Sequence, residues 1–189
     1  RLLALQLSAM GPVTFAREFA LPLAHEIGER WANKRMGIAS EHLAMGILRS
    51  MLGSALTPTA ASRLGPTIVF ATPTGEPHEL GLQSAALTAL GAGANPIYLG
   101  AELPVEDLVR AVADVKASVL ALSLVTLPKS QAAKVIAAIR SDLPEEVRLW
   151  IGGPGAATIT ASNGVEPMGN MEEFERRVAL LGFEKPGRS

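Results

Sequence analysis

Four short, continuously apolar runs, each followed by a polar or glycine-bearing loop, fix most of what this chain can fold into. They lie at residues 67–71, 95–99, 119–125 and 148–153. A run that is apolar throughout, rather than alternating, is what a strand covered on both faces needs. Helical patterns separate the runs, at residues 80–90, 105–116 and 130–140. Glu106 and Asp107 fall in the first turn of the second, where the helix dipole favours acids. A short helix is expected after Pro154, a weak strand near residues 164–166, and a last helix at 171–181. Strand–helix alternation demands right-handed crossovers and therefore a parallel sheet. The order suits a flavodoxin-like (Rossmann-like) α/β fold, which takes ligands at the carboxyl ends of its strands.

The period changes near Leu64-Gly65-Pro66, and everything before it reads as helix. This places a small helical bundle at residues 1–63 ahead of an α/β domain at 64–189. A first helix stops at Gly11-Pro12. A long one is expected over residues 13–35, with Phe15, Phe19, Leu23, Ile27 and Trp31 at four-residue steps along one drifting stripe. Pro22 is placed to bend it, and Gly37 to end it in the left-handed position that glycine relieves. Ser40 is expected to cap the next helix, whose apolar face is Leu43, Ile47, Leu48, Met51 and Leu52. Residues 54–59 read as a linker.

Composition removes several function classes. Basic and acidic residues nearly cancel, 17 against 18, so these residues are not expected to bind DNA by themselves. No apolar run reaches the ~18 residues that span a bilayer. With no cysteine and three histidines, disulfides, thiolate zinc sites and cysteine nucleophiles are excluded. No Gly-x-Gly-x-x-Gly follows a strand: Gly91-Ala92-Gly93 closes a helix and precedes a strand, and no Lys or Arg closely follows Gly152-Gly153-Pro154-Gly155 to complete a phosphate cradle. The chain has no initiator Met and opens as helix interior without a cap, the pattern expected of a piece of a longer protein.

The loop after the first strand carries the chemistry. It reads Thr72-Pro73-Thr74-Gly75-Glu76-Pro77-His78-Glu79-Leu80-Gly81. A carboxylate two positions before a histidine can accept from one ring nitrogen and leave the other for a metal. Gly81 lets something bulky approach the start of the next helix. Taken alone, the loop is equally well a polar surface turn.

The spacing Glu-x-His-x-x-Gly resembles the Asp-x-His-x-x-Gly signature of cobalamin-binding domains, with Glu in place of Asp. Two further features of that family recur in order. The third strand ends Ser123-Leu124-Val125-Thr126, where the family has a Ser-x-Leu motif and Val125 replaces Leu. The pair Gly152-Gly153 follows the fourth strand. The resemblance covers residues 66–182. It implies that His78 is the lower axial ligand of cobalt. It also implies that the nucleotide tail enters the fold beside Ser123, Val125, Thr126, Gly152 and Gly153.

The helical part is similar to the cap of CarH/LitR-type light-sensing regulators, where Trp-x9-Glu-His covers the adenosyl group. Here Trp31 precedes Glu41-His42 by nine intervening residues. Read singly, Trp31 closes an apolar stripe and Glu41 is a first-turn acid. The resemblance instead gives Trp31, Glu41 and His42 to the adenosyl group of 5′-deoxyadenosylcobalamin. It implies a cytoplasmic photoreceptor rather than an enzyme, a homo-oligomer (dimer or tetramer) in the dark, and DNA contact only through a MerR-like domain outside this chain. Those regulators have a His after the Trp. Ala32 stands there, so a second ligand after light would have to be His42 or His25, and His25 reads as a helix-surface residue. A corrinoid methyl carrier or a cobalamin-dependent antirepressor would share the fold and the His78 loop.

Overall fold

A computed structural model describes residues 2–56 and 65–182. The chain divides into two compact units, Arg1–Ala60 and Ala61–Ser189.

The first unit is helical. Helix α1 spans Leu2–Met10 and buries no side chain. Helix α2 (Pro12–Thr14) runs into a π-helical segment, Phe15–Ala20, and then into α3 (Leu21–Ala32). The single long helix expected over residues 13–35 is thus interrupted. The interruption is the backbone's accommodation of Pro22, which brings no N–H: the Leu21 amide reaches back five residues to the Ala16 carbonyl. Phe15 stacks on Phe19 with ring centroids 5.3 Å apart. The buried face is Phe15, Ala16, Ala20, Ala24 and Ile27, while Trp31 at the end of the stripe is 49% exposed.

Two expected helix boundaries are corrected. Helix α3 ends at Ala32, and the left-handed residue is Lys34 (φ 58), not Gly37. The Asn33 side chain helps by donating to the Glu29 carbonyl at 2.9 Å. Helix α4 spans Ile38–Leu56. Ser40 lies inside it and is no cap, because the Gly37 carbonyl already accepts from the Ser40 and Glu41 amides, both at 3.1 Å. Of the expected apolar face, Leu48 and Leu52 are buried but Leu43 and Ile47 are exposed. Residues 54–56 belong to α4 rather than to a linker, and residues 57–59 and Leu64 lie outside the described residues.

The second unit is a five-stranded parallel sheet of order β2-β1-β3-β4-β5. Its strands are β1 (Thr67–Pro73), β2 (Asn95–Leu103), β3 (Val119–Ser123), β4 (Arg148–Gly152) and β5 (Val165–Pro167). Between and after them come α5 (Leu80–Gly91), α6 (Val105–Asp114), α7 (Lys129–Asp142), a 3-10 turn (Pro154–Thr158) and α8 (Met171–Leu181). This is the flavodoxin-like order, which reverses between β1 and β3. One face of the sheet packs Val69, Ala71, Leu120, Leu122, Leu149 and Ile151 against Leu108 and Val112 of α6 and Ile136 and Ile139 of α7. The opposite face presents Phe70, Ala121 and Trp150. There Phe174 of α8 meets Phe70 and Trp150 edge-on, at 6.1 and 5.6 Å between centroids. Asn170 caps α8 by accepting from the Glu173 amide at 2.8 Å.

Candidate functional site

The order reversal sets the ends of β1 and β3 side by side, so the loops that follow them meet. Glu76 is where they join. The turn that carries it is shaped by Gly75 (φ 89) and by Thr72, whose hydroxyl donates to the Glu76 carbonyl and accepts the Glu102 amide at 2.9 Å. The Glu76 side chain is completely buried. Its Oε2 accepts the backbone amides of Val125 (2.7 Å), Thr126 (2.6 Å) and Leu127 (3.0 Å). Its Oε1 accepts the His78 amide at 3.2 Å and lies 2.7 Å from His78 Nδ1. Thr126 Oγ1 adds contacts to both, at 3.3 Å from Oε1 and 3.2 Å from Nδ1.

Burial pushes the Glu76 carboxyl upward. The amides of Thr126 and Val125, the His78 ring and the Leu127 amide outweigh it and hold the pKa at about 2, down from 4.5. Glu76 is therefore ionised near neutral pH. An ionised acceptor at Nδ1 selects the tautomer in which Nδ1–H donates and Nε2 keeps its lone pair. The His78 side chain is 52% exposed, so that lone pair belongs to a ring held at one edge and open elsewhere.

These amides also explain a shortened strand. The sequence places β3 through Val125, but it ends at Ser123, because the next residues turn to aim their N–H groups at Glu76. No side-chain signal marks such a turn.

Beside this loop a cavity of about 730 Å³ runs between the sheet and helices α5 and α8. That falls within the range of small-molecule sites, roughly 300–1,000 Å³. Gly81, Ser123, Val125, Gly152 and Gly153 all line it, whereas His78 and Thr126 stand on the neighbouring loops. The glycines divide into two kinds. A Cβ on Gly153 would lie 2.4 Å from the Leu124 carbonyl oxygen, and its φ is 83, so the fold itself requires glycine there. A Cβ on Gly81 would meet nothing within 4 Å. Nothing in the protein needs that space, and it opens on the cavity.

Sequence reasoning passed over Trp150. It lines the cavity, is 1% exposed, and its Nε1 has no hydrogen-bond partner. An unmade buried donor costs roughly 1–3 kcal/mol. The available signal was strand alternation: Trp150 lies two residues before Gly152 and so on the same sheet face.

In the helical unit, Trp31 ends α3 and Glu41 and His42 lie in the first turns of α4, so a short connection brings them to one end of the bundle. His42 Nδ1 lies 2.5 Å from Glu41 Oε2. The His42 side chain is 72% exposed. Ala32 is exposed, and His25 pairs with Glu29 at 3.4 Å on the helix surface. Among the described residues no cluster of three or more His, Cys, Asp or Glu could hold a metal ion, and no helix is long and apolar enough to cross a membrane.

Comparison with known proteins places this geometry. The chain is 33% identical over 153 residues to the HTH-type transcriptional repressor CarH of Myxococcus xanthus, covering 79% of this chain and 50% of that protein. It is 33% identical over 140 residues to the HTH-type transcriptional repressor CarA of the same organism, covering 73% of this chain and 46% of that protein. The chain thus spans about half the length of the curated relatives it matches. In fold it is similar to the Methanosarcina barkeri monomethylamine corrinoid protein, with TM-score 0.64 and 15% identity over 93% of this chain and 87% of that one. It is also similar in fold to a cobalamin-binding protein from Desulfitobacterium hafniense, with TM-score 0.51 and 20% identity over 93% of this chain and 87% of that one. Residues 66–166, more than half of the chain and the whole of the sheet up to β5, match the family described as the B12 binding domain, and the chain belongs to that family.

Proposed function

We propose that this chain is the adenosylcobalamin-binding, light-sensing module of a transcriptional regulator. Residues 64–189 hold the cofactor and residues 1–63 act as its cap. One observation carries the reading: a histidine whose Nδ1 is bound by a buried, ionised carboxylate stands beside a large cavity at the β1/β3 switch point. The cavity fits such a group, since its volume is that of a small-molecule site and Gly81 on its lining leaves space that the protein does not fill.

In this reading His78 offers Nε2 to cobalt, and Glu76 fixes the ring and its tautomer. Ser123, Val125, Thr126, Gly152, Gly153 and Gly81 hold the nucleotide tail. Trp31, Glu41 and His42 serve the adenosyl group. Bound there, adenosylcobalamin supplies a cobalt–carbon bond that visible light breaks. The chain's own part is a two-state response: residues that contact the adenosyl group lose those contacts, and the helical unit and its homo-oligomer shift. DNA binding would come from a MerR-like domain outside this chain, and no catalytic residue is assigned. The similarity to the CarH and CarA repressors supports the regulator reading over a methyl carrier.

The test is a visible spectrum of the chain with adenosylcobalamin, and its elution volume, before and after green light. Spectrum and elution volume should change together. An unchanged spectrum overturns light sensing. A changed spectrum at constant size overturns light-controlled assembly.

A further inference from the structure

Strand β2 lies at an edge of the sheet and pairs with β1 alone. The pairing is regular from Thr67 opposite Asn95 to Phe70 opposite Tyr98, then slips. Ala71 faces Gly100 and Pro73 faces Leu103, so the end of β2 is bulged beside Thr72. The bulge holds Glu102 at φ 60, a left-handed backbone that side chains rarely adopt and keep only where their surroundings hold it. The Glu102 amide goes to a side chain: the Thr72 hydroxyl accepts it at 2.9 Å. Thr72 is completely buried. A hydroxyl has one proton to give, and an amide only donates, so that proton is left for another partner. It goes to the Glu76 carbonyl. A carboxylate in this place would serve Glu102 but repel the Glu76 carbonyl, whereas a hydroxyl serves both. Between Thr72 and Glu76 the chain makes a tight turn across Gly75, in which the Glu76 amide donates to the Pro73 carbonyl at 3.0 Å. The Thr74 amide within it donates to the Leu103 carbonyl at 3.0 Å. The turn is thus tied to the end of β2 at Thr72 and Thr74, and to the loop after β3 through the Glu76 carboxylate.

We infer that Thr72 is a positioning residue for the metal ligand: its hydroxyl, anchored by the bulged end of β2, holds the Glu76 backbone where the carboxylate reaches both the three amides after β3 and the His78 ring, and so keeps Nε2 of His78 free for cobalt. The inference rests on the cobalamin reading above. Thr72 touches neither His78 nor the cavity lining, and it acts through Glu76. Without the hydroxyl the Glu76 carbonyl loses its donor and the turn is released on one side. The carboxylate then shifts between the amides and the ring, and the hold on Nδ1 that selects the tautomer weakens. A purely structural role would cost stability and leave the ring as it is.

The experiment compares the full chain with Thr72→Val, which keeps the shape and loses the hydroxyl, Thr72→Ala, which leaves room for water, and Thr72→Ser, which restores the hydroxyl. Each chain is labelled with 15N-histidine and loaded with hydroxocobalamin reduced to cob(II)alamin. A 15N doublet on the cobalt EPR lines reports a protein histidine on the metal. Unlabelled imidazole is then added until half of the doublet becomes a 14N triplet. Thr72→Val should need about tenfold less imidazole than the wild type, the loss of one hydrogen bond, and Thr72→Ser should need as much as the wild type. If Thr72→Val does not fold, Thr72→Ala carries the same expectation. An unchanged imidazole midpoint without the hydroxyl, or a loss that serine does not restore, overturns the inference and leaves His78 as the ligand. A second measurement needs neither cofactor nor a folded Thr72 variant. In the wild-type chain alone, the 15N signals of His78, assigned by their absence from His78→Gln, should show the proton on Nδ1 and a bare Nε2. A wild-type His78 protonated on Nε2 overturns the inference. A wild-type chain that shows no 15N doublet overturns the cobalamin reading and the inference with it, a result distinct from a doublet that ignores Thr72.

Discussion

Each unit of this chain contains a Glu–His pair, and the two are nearly equal in length. Glu76 to His78 is 2.7 Å and Glu41 to His42 is 2.5 Å. Their surroundings differ. Glu76 has no exposed surface and accepts four backbone amides besides the ring. Glu41 keeps 19% of its side-chain surface, and its histidine is largely in water. Distance alone therefore says little about what a pair contributes. The sheet unit builds its site as part of the fold, with the loops after β1 and β3 closed on one carboxylate. The helical unit pairs two neighbours near the start of α4, with Glu41 mostly covered and the His42 ring largely in water.

Removing the two carboxylates should break the comparison most visibly. Glu76→Ala leaves the Val125, Thr126 and Leu127 amides without their acceptor and should cost at least about 3 kcal/mol. Glu41→Ala, whose histidine partner stands largely in water, should cost less, about 1 kcal/mol. Denaturant melts of the two variants without cofactor measure both, and equal losses would refute the distinction. Acid should expose the same asymmetry. The folded pKa of Glu76 lies below its ordinary value, so its contribution is complete above about pH 4.5 and is lost as pH falls towards about 2.

The glycines test whether fold and ligand make separable demands inside the sheet unit. Gly153→Ala should destabilise the chain by about 2 kcal/mol, since its Cβ would press on the Leu124 carbonyl at a φ that side chains rarely adopt. Gly81→Ala should have the opposite sign. Alanine within α5 should raise stability by about 0.5–1 kcal/mol, while its methyl group intrudes on the cavity and weakens cobalamin binding. If Gly81→Ala binds cobalamin as the wild type does, that space is not the ligand's.

The same contrast explains what was legible in the sequence. The sheet unit announces itself because its strands are apolar on both faces and its loops carry Glu76, His78 and the glycine pair at strand ends. The reading failed where backbone, not side chain, does the work. β3 stops early because three consecutive amides turn to Glu76, and a backbone N–H leaves no mark on composition. In the helical unit the boundaries moved for a similar reason. Lys34 takes the left-handed position that Gly37 was expected to hold, and a π-helical segment absorbs Pro22. Trp150 was passed over because a tryptophan in an apolar strand reads as core. Only the unmade hydrogen bond at its Nε1 distinguishes it.

Trp31 gives the smallest expected change in stability and the sharpest test of the helical unit. It ends the stripe that begins at Phe15, yet half its surface is exposed, whereas Phe15 and Ile27 on the same stripe are buried. A tryptophan kept for packing would be covered by its own unit. Trp31→Ala should therefore shift stability without cofactor by no more than about 0.5 kcal/mol. Its effect should appear only with ligand, and only with one form of it. If Trp31 serves the adenosyl group, the variant loses affinity for adenosylcobalamin and keeps it for methylcobalamin, whose upper ligand is too small to need that cover. Affinities from visible titrations in the dark decide the matter. Equal loss for both forms would make Trp31 a general contact, and the helical unit would then have no means of distinguishing the two upper ligands through that residue.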